Sequence, residues 1–425
     1  MPKPLVTILG KSVKTVMKLR GGGSALPGLV VERIDPDFLR SCLETLPRGV
    51  VLISGTNGKT TTTKMVVELL EGQGLTVFTN RTGSNFTRGV VAALLGDVDI
   101  AGKLHADIAV LELDEAHAVH FVKAVQPKHA LFLNVMRDQL DRFGEIDTTA
   151  RLLRSVAEHV TDGVVVNRDD PRLGSDAFRT GLQAEVRTYG VNEELLHAFP
   201  SDDALHDSSA VVSVGEPAAD DVCLEAIDDH TATIRIGSAA HETELKLHGI
   251  YNILNAVGAV ALCRLVMGDE LDEAKMLKSL QSVEPAFGRG EALLVNGQPL
   301  ELVLVKNPGG FRLGLSSFSP DGYATMIAIN DNYADGRDMS WLWDVDFTSL
   351  SRGVALTTGI RAYDMALRLQ YDEIPIGTVE PNLTLALKHF LNEHADTPKR
   401  IYCTYTAMLA LRRELSKVTK VEVVS

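Results

Sequence analysis

One short stretch near residue 50 constrains the fold of this chain more than any other. An apolar, β-branched run from Gly49 to Ser54 leads into the glycine-containing segment Gly55–Thr62. Apolar residues then recur at the spacing of an α-helix, at Met65, Val66, Leu69 and Leu70. This pattern predicts a buried parallel strand, a tight loop and a helix, in that order.

The predicted loop has the composition of an anion-binding site. Glycine lets backbone N–H groups approach a phosphate closely, and the N-terminus of the following helix adds positive potential. In such a loop Lys59 is expected to reach the β- and γ-phosphates of a nucleotide, and the Thr60 hydroxyl is expected to bind Mg²⁺. The alternative is a glycine turn that precedes Lys-Thr by chance, and the coincidence of strand, loop, lysine, hydroxyl and helix argues against it.

Length and charge restrict the remaining possibilities. A chain of 425 residues is too long for one ordinary hydrophobic core, so two or three domains are expected. The formal charge of −14 argues against a nucleic-acid partner, because an acidic surface repels phosphate backbones. None of the four cysteines stands at the spacing of a zinc or redox motif. We therefore predict a cytoplasmic protein without a signal peptide.

The first twenty residues carry five basic side chains, and no acidic residue precedes Glu32. Apolar residues alternate with these charges in stretches too short to span a bilayer. Two interpretations remain open: an amphipathic helix packed against its own protein, or a peripheral helix drawn to the anionic inner face of the plasma membrane. The run Gly21–Ser24 predicts a linker after this helix.

Two residues separate the glycines of the loop, fewer than in the usual nucleotide-binding pattern. This short loop resembles the loop of the Mur ligase superfamily, whose sequence is similar to Gly-Thr-Asn-Gly-Lys-Thr-Thr. Further segments resemble the superfamily in the family's order, and they are Ala109–Glu115, Ala130–Gly144, His248–Ala256, Phe287–Glu291 and Val305–Gly310. Each segment is weak evidence alone, and the order and spacing of the set carry the resemblance.

The resemblance implies a site for ATP. It assigns to the nucleotide Gly55, Thr56, Asn57, Gly58, Lys59, Thr60, Thr61, Asn134, Asn252, Asn255 and Arg289. It also implies that Glu112 joins Thr60 in binding Mg²⁺. Taken alone, a carboxylate at the end of a strand is about as often a helix cap or a surface ion pair, and a helical asparagine is more often bonded locally.

The resemblance further implies a reaction. Superfamily members transfer the γ-phosphoryl group of ATP to a carboxylate, and a nitrogen nucleophile then displaces phosphate from the acyl phosphate; Lys59, Glu112 and Mg²⁺ would stabilise the charge. The chain departs from amino-acid-adding members in one respect. Those members carry a lysine that becomes carbamylated, whereas Arg151 and Arg154 are the basic residues of that region here, and a guanidinium is not readily carbamylated.

Three segments narrow the resemblance to the MurT family, the ligase-like subunits of lipid II isoglutaminyl synthases. They are Glu112–Ala116, Arg137–Thr149 (with Gln139 in place of a superfamily histidine) and Ile329–Asp344. The resemblance implies a partner similar to GatD, a class I glutamine amidotransferase subunit that supplies ammonia. It also implies amidation of the D-glutamate α-carboxylate of lipid II to D-isoglutamine. The alternatives are a stand-alone ligase of the Mur or folylpolyglutamate type, which adds an amino acid, and a non-catalytic ATP-binding subunit.

In the MurT family an aspartate of the segment Ile329–Asp344 is thought to complete the Cys-His pair of the partner, as in other catalytic triads. Asp335 and Asp338 are the candidates. Asp335 is preferred because the turn chemistry of its neighbours would project the side chain. Without the resemblance, the same segment is a turn-rich loop anchored by two tryptophans. No cysteine of this chain has the sequence setting of a glutaminase nucleophile, which is consistent with the separate glutaminase partner that the resemblance implies.

We therefore predict an α/β protein with three parts. Residues 1–34 form a basic helical segment and linker, residues 35–285 form a Mur ligase-like central domain, doubly wound around the phosphate-binding loop, and residues 286–425 form a smaller MurT-type α/β domain. Some family members carry a four-cysteine zinc ribbon in the central domain. The corresponding region here, about Thr188 to Leu247, contains only Cys223, so no zinc is predicted.

Overall fold

The structure is a computed structural model of the chain. It describes residues 3–19, 25–80, 86–137, 146–201, 203, 218, 220–228, 231–246, 249–284 and 289–421. These residues form two compact units. The first contains the described residues between Lys3 and Met136 and between Ile146 and Glu284, and the second contains Arg137 and the residues from Arg289 to Val421.

The described strands of the first unit form one sheet. In chain order they are β1 (Val50–Ser54), β2 (Val77–Thr79), β3 (Ile108–Glu112), β4 (His129–Phe132), β5 (Gly163–Asn167), β6 (Glu185–Val191), β7 (Val222–Asp228), β8 (Thr231–Ile236) and β9 (Ala239–Glu244). Their spatial order is β2-β3-β1-β4-β5-β6-β7-β8-β9. The pairs from β2 to β7 are parallel, and β8 and β9 are added antiparallel.

The direction of strand addition reverses at β1, which lies between β3 and β4. In open parallel sheets, ligands bind beyond the carboxyl ends of the strands at such a reversal. The loop that follows β1, and the residues that follow its two neighbours, are therefore expected to meet at one edge of the sheet.

Helices cover both faces of this sheet. They are α1 (Pro4–Leu19), α2 (Ala25–Ile34), α3 (Phe38–Leu43), α4 (Lys59–Gly72), α5 (Thr87–Asp97), α6 (Glu115–Ala124), α7 (Ile146–Ala157), α8 (Asp176–Arg179), α9 (Ile250–Met267) and α10 (Glu273–Ser282). Val51 and Ile53 of β1 lie in an apolar core with α4 and α9, whereas Val50 and Leu52 lie in another with α5 and α6. Successive strand residues point to opposite faces, so the predicted doubly wound α/β class is confirmed.

The helix α9 is long and apolar enough to cross a membrane by length and composition, over Ile250–Glu270. It is also the one described helix that passes this test, and 72% of its apolar window is buried. It packs against α4 and against β4, β5, β6 and β7. We therefore assign it as a core helix of the first unit.

The basic N-terminal segment forms the helix α1, which packs against α2 and α5. Val6 and Thr7 are buried on its inner face. The ammonium groups of Lys11 and Lys14 donate hydrogen bonds to the backbone oxygens of Val98 (2.6 Å) and Ala92 (2.9 Å). Lys11 thus contacts the residue after the end of α5, where helix carbonyls favour positive charge, and Lys14 contacts a backbone oxygen within the same helix.

The second unit is a smaller α/β domain. Its strands are β10 (Arg289–Val295), β11 (Gln298–Leu304), β12 (Ala324–Ala328), β13 (Val354–Thr358), β14 (Ile376–Glu380) and β15 (Lys399–Cys403). Its helices are α11 (Pro308–Ser317), α12 (Ala362–Tyr371), α13 (Leu383–Glu393) and α14 (Tyr405–Leu415). The strand order is β10-β11-β15-β12-β13-β14, parallel except for the hairpin of β10 and β11.

Some predicted features lie outside the described residues. They are the predicted linker Gly21–Ser24, residues 138–145 of the segment Arg137–Thr149, including Gln139, together with His248 and with Phe287 and Gly288 of the segment Phe287–Glu291. Most of the polar stretch before Asp221 also lies outside. Within the described chain, Cys223 is buried in β7 and no group of three or more His, Cys, Asp or Glu side chains is placed to hold a metal.

Candidate nucleotide-binding site

The loop between β1 and α4 has the backbone conformation that its glycines allow. Gly55 and Gly58 have φ angles of 131° and 89°, in a region that other residues rarely adopt. Gly58 is the N-cap of α4, and no side chain caps this helix end. The N–H groups of the first turn have no intrahelical partners, so this helix N-terminus is suited to an anion.

Asn134, which follows β4 by two residues, fixes this loop through its side-chain amide. Its Oδ1 accepts a hydrogen bond of 2.9 Å from the backbone N–H of Asn57, and its Nδ2 donates one of 3.0 Å to the backbone oxygen of Asn57. The backbone oxygen of Asn134 also accepts a bond of 3.0 Å from Thr56 N. β1 and β4 are parallel neighbours, which brings these two segments together.

Asn255 lies against the other side of the loop. It is buried in α9, and a Cβ atom on Gly58 would lie 2.6 Å from its Nδ2. Gly58 therefore satisfies two requirements, a positive φ angle and close contact with Asn255. The predicted site residue Asn252 lies in the first turn of α9 and is half-buried.

Thr60 and Glu112 come together from α4 and the end of β3. The Thr60 hydroxyl donates a hydrogen bond of 2.9 Å to Glu112 Oε1. Neighbouring ligands of an octahedral Mg²⁺ ion, each about 2.1 Å from it, are about 3 Å apart. A hydroxyl and a carboxylate at this spacing fit the oxygen ligands that Mg²⁺ prefers, so Thr60 and Glu112 are the side chains that would hold the ion.

The position of Glu112 is fixed by Asn80, the residue after β2. Asn80 Oδ1 accepts a bond of 3.0 Å from Glu112 N, and Asn80 Nδ2 donates one of 2.8 Å to the backbone oxygen of Glu112. This contact has the same form as that between Asn134 and Asn57. In both cases an asparagine that follows one strand binds the backbone of a site residue that follows or ends the adjacent strand: Asn80 after β2 binds Glu112 of β3, and Asn134 after β4 binds Asn57 after β1.

The ammonium group of Lys59 is buried within the site. It donates hydrogen bonds to the backbone oxygens of Gly55 (2.6 Å) and Thr56 (3.2 Å). It also lies 3.2 Å from Asp114 Oδ1 and 3.8 Å from Glu115 Oε2. The positive charge at the start of α4 is therefore balanced by carboxylates at the start of α6.

Three of these contacts involve residues to which the sequence assigned no role, namely Asn80, Asp114 and Glu115. The sequence shows that Asn80 is a polar residue directly after a short apolar strand, but this position alone does not identify Glu112 as its partner. The positions of two other predicted site residues, Thr61 and Arg289, neither support nor oppose a role in nucleotide binding. The Thr61 hydroxyl is buried without a hydrogen-bond partner among the described residues, and Arg289 opens β10 in the second unit.

The acidic segment before and within the 3₁₀ turn Ser340–Asp344 belongs to the second unit. Asp335 does not project from it, because only 3% of the residue is exposed. Its carboxylate accepts bonds from Thr406 N (2.7 Å), Thr406 Oγ1 (2.5 Å) and Asn332 N (3.1 Å). It thus connects the segment to the first turn of α14, and burial raises its pKa. The turn chemistry around Asp335 was correct, but the expected projection of its side chain was wrong.

Asp338 is more accessible than Asp335. Its Oδ1 accepts a hydrogen bond of 2.9 Å from Ser340 N, and hydrogen bonds from Ser340 hold its pKa below the usual range. Asp331 forms an ion pair of 2.7 Å with Arg361. All four cysteines are buried and free, and burial raises the pKa of Cys403 far above that of a reactive thiol.

Two family models match the chain. The Mur ligase middle domain matches residues 53–263, and the MurT ligase C-terminal domain matches residues 304–408. The first match contains the loop after β1, Glu112, Asn134 and Asn255. The second contains the acidic segment with Asp335 and Asp338.

Curated relatives match most of the chain. The lipid II isoglutaminyl synthase (glutamine-hydrolyzing) subunit MurT of Streptococcus pneumoniae is 29% identical and covers 96% of both chains. The same-named subunit of Staphylococcus aureus is 28% identical and covers 83% of this chain and 84% of its own. The folylpolyglutamate synthase of Mycobacterium tuberculosis, solved with ADP and AMPPCP, has a similar fold, with a TM-score of 0.62 at 16% identity over 91% of this chain and 94% of its own.

Proposed function

The chain belongs to the MurT family of the Mur ligase superfamily, and on this premise we propose that it is the ATP-dependent subunit of a lipid II isoglutaminyl synthase. It would activate the α-carboxylate of D-glutamate in the stem peptide of lipid II and convert it to D-isoglutamine with ammonia. The observation that carries the proposal is the convergence of Lys59, Thr60, Glu112 and Asn255 on one phosphate-binding loop.

The main energetic barrier at this site is the repulsion between anionic reactants. Bringing a nucleotide phosphate to a carboxylate joins two anions, and their repulsion must be offset in the transition state. Lys59 supplies one positive charge at the start of α4, and the N–H groups of that helix supply a second source of positive potential. Thr60 and Glu112 would hold Mg²⁺, which supplies the remaining neutralisation when bound.

The chemical course that we propose has two steps. The substrate carboxylate attacks the γ-phosphorus and becomes an acyl phosphate, while ADP leaves. Ammonia then attacks the acyl carbon, phosphate leaves, and the surplus proton passes to solvent. The helix terminus and Lys59 would remain in place during both steps, since the loop that carries them is bonded to Asn134.

The nucleophile is proposed to be ammonia because the region that carries the carbamylated lysine in amino-acid-adding ligases has Arg151 and Arg154 as its basic residues here. Arg151 donates to the Thr148 hydroxyl at 2.9 Å. Arg154 donates to the backbone oxygens of Phe178 (2.9 Å) and Thr180 (3.0 Å). Both guanidinium groups therefore have structural partners within the first unit.

Ammonia requires a source, and the names of the relatives describe a glutamine-hydrolysing enzyme in which MurT is a subunit. We propose that a GatD-like glutaminase subunit binds this chain and that an aspartate of the acidic segment orients its catalytic histidine. Asp338 is the better candidate on geometric grounds. It is half-buried and is bonded to Ser340, whereas Asp335 is buried and accepts bonds from both Thr406 and Asn332.

The proposed location is the cytoplasmic side of the membrane, because lipid II carries its stem peptide on a lipid. Leu5 and Val16 are exposed on the outer face of α1, where they could contact such a surface. Binding to vesicles of anionic lipid, compared with neutral vesicles, would test this part of the proposal.

The test of function is reconstitution with the glutaminase subunit. The purified pair is given ATP, Mg²⁺ and lipid II, with either glutamine or an ammonium salt, and the amidated product and released phosphate are measured. We expect one phosphate for each amide formed. Incorporation of a free amino acid without the partner would indicate a stand-alone ligase, and glutaminase stimulation without phosphate release would indicate a non-catalytic subunit.

A further inference from the structure

The ammonium group of Lys59 is already paired within the chain, by two hydrogen bonds to backbone oxygens and by an ion pair with Asp114. An ammonium group has three N–H donors and no acceptor. Three oxygens lie within 3.2 Å of Lys59 Nζ, namely Gly55 O at 2.6 Å, Thr56 O at 3.2 Å and Asp114 Oδ1 at 3.2 Å. A phosphate that binds Lys59 therefore competes with a carboxylate that already neutralises the ammonium charge.

Of the three, Asp114 is the contact that a phosphate can replace most directly. The two carbonyl oxygens belong to the loop itself, whose backbone is fixed by Asn134. Asp114 is a carboxylate, so exchanging it for phosphate substitutes one anion for another. Glu115 is less suited to this role, because its nearest oxygen is 3.8 Å from the ammonium and its side chain is only 2% exposed.

The local structure around Asp114 supports a role other than helix capping. Asp114 is the N-cap of α6, a position at which aspartate usually accepts a bond from the first turn. Here its side chain makes no capping hydrogen bond, although its backbone has the usual extended conformation. The carboxylate points instead to Lys59, across the edge of the sheet between the ends of β3 and β1.

We propose that Asp114 is a positioning residue that competes with the nucleotide phosphates for the ammonium group of Lys59. This rests on the proposed function, because it requires that the loop after β1 binds ATP. Loss of the Asp114 charge then strengthens binding of any nucleotide whose phosphates reach Lys59. It leaves unchanged the binding of a nucleotide that does not reach it. This competition lowers the affinity of the site for ATP, and it lowers the affinity for ADP in the same way.

The experiment measures nucleotide affinity by calorimetry on the full chain bound to its partner subunit. Asp114→Asn is expected to bind ATP and ADP about three- to tenfold more tightly than the wild type, the range of a partly buried ion pair. AMP has no β- or γ-phosphate and its affinity should not change. Asp114→Ser, which keeps a residue suited to the N-cap, should behave in the same way and controls for a change in α6.

A double-mutant cycle separates competition from a general change in the site. In the Lys59→Ala background, Asp114→Asn should have no further effect on ATP affinity, because its partner is gone. Glu115→Gln is the matched carboxylate-to-amide control, with a smaller expected effect. Equal or weaker ATP binding by both Asp114 variants would overturn the proposal, as would equal tightening of AMP. Failure of the wild type to bind ATP would overturn the proposed function as well, so the two failures are distinguishable.

Discussion

The Thr60 hydroxyl and Glu112 Oε1 are 2.9 Å apart, although 52 positions separate the two residues along the chain. The contact exists because β1 and β3 are parallel neighbours, so that the helix after β1 begins beside the last residue of β3. A pair of oxygens placed in this way by two different elements depends on the whole central sheet, and it provides the most specific prediction about the metal.

Glu112→Gln should raise the Mg²⁺ concentration required for half-maximal amidation about tenfold or more, since a neutral amide replaces an anionic ligand. The amide retains the size of the side chain, and thermal stability should stay close to that of the wild type. Glu68→Gln, on the surface of α4, is the matched control. Mg²⁺ titrations of Glu112→Gln that superimpose on those of the wild type would show that Glu112 is a local hydrogen-bond partner and nothing more.

Lys59→Ala should reduce ATP-dependent amidation about a hundredfold or more, because the transferred phosphoryl group loses a positioned cation. The control is Lys64→Ala, one turn later on the same helix, where the ammonium pairs with Glu68 at the surface. Circular dichroism verifies the fold of both variants. A folded Lys59→Ala protein with near-normal turnover is incompatible with the phosphate-binding assignment.

The Gly58→Ala variant should lose nucleotide binding, because the added Cβ would collide with the Asn255 side chain. Both Gly58 and Gly74 have φ near 90°, so an alanine at either position is expected to cost about 1–2 kcal/mol of stability. Only at Gly58 does the new Cβ meet another residue, since nothing lies within 4 Å of the corresponding position at Gly74. Gly74→Ala should therefore be destabilised but bind ATP. Equal binding by the two variants would exclude a role for the contact with Asn255.

The acidic segment is tested by comparing two nitrogen sources on the assembled complex. Asp338→Asn should abolish amidation driven by glutamine and preserve amidation driven by an ammonium salt, because only the glutaminase depends on this carboxylate. Asp335→Asn should instead lower the thermal stability of the chain, since it weakens the bonds to Thr406. If Asp335→Asn alone shows the glutamine-specific loss, the assignment of the two aspartates is reversed.

Stability should depend on pH through a buried aspartate of the first unit. Burial raises the pKa of Asp169 to about 6, from about 4 in an unfolded chain. The folded protein thus binds this proton more tightly, so the contribution of Asp169 to stability is greatest below about pH 4 and is lost as the pH rises through about 6. Asp169→Asn removes this titration.

The free energy of unfolding of the wild type, relative to Asp169→Asn, should therefore fall between pH 4 and pH 6, by at most about 3 kcal/mol. Urea titrations at several pH values measure the difference. A difference that is constant with pH would show that Asp169 has the same pKa in both states.

Sequence patterns predicted the structure best where the residues that decide it are adjacent in the chain. The run before Gly55, the glycine loop and the helical spacing after it gave β1, the loop and the start of α4 in their correct places. The partners Asn80 and Asp114 were not assigned, because a contact between residues on different strands depends on strand order. Strand order is set by how β2, β3 and β4 pack around β1, which no local pattern contains.

Asp335 illustrates the opposite case, in which local chemistry was correct and the conclusion was not. The Ala-Asp-Gly sequence does form a turn, with Asp335 N bonded to the backbone oxygen of Asn332. The direction of the side chain, however, is decided by Thr406, which lies 71 positions later at the start of α14. The turn fixes the backbone position of Asp335, and its packed neighbour Thr406 fixes the direction of the side chain.

The paired contacts of Asn80 with Glu112 and of Asn134 with Asn57 limit which amino acids can occupy those two positions. Each amide donates with one atom and accepts with the other to a single backbone residue. Aspartate has the same shape but lacks the donor when ionised, leucine has neither group, and glutamine is longer by one methylene. Of the twenty encoded residues, only asparagine meets both requirements at that length, so a single-nucleotide change at either codon that replaces it removes at least one of the two bonds.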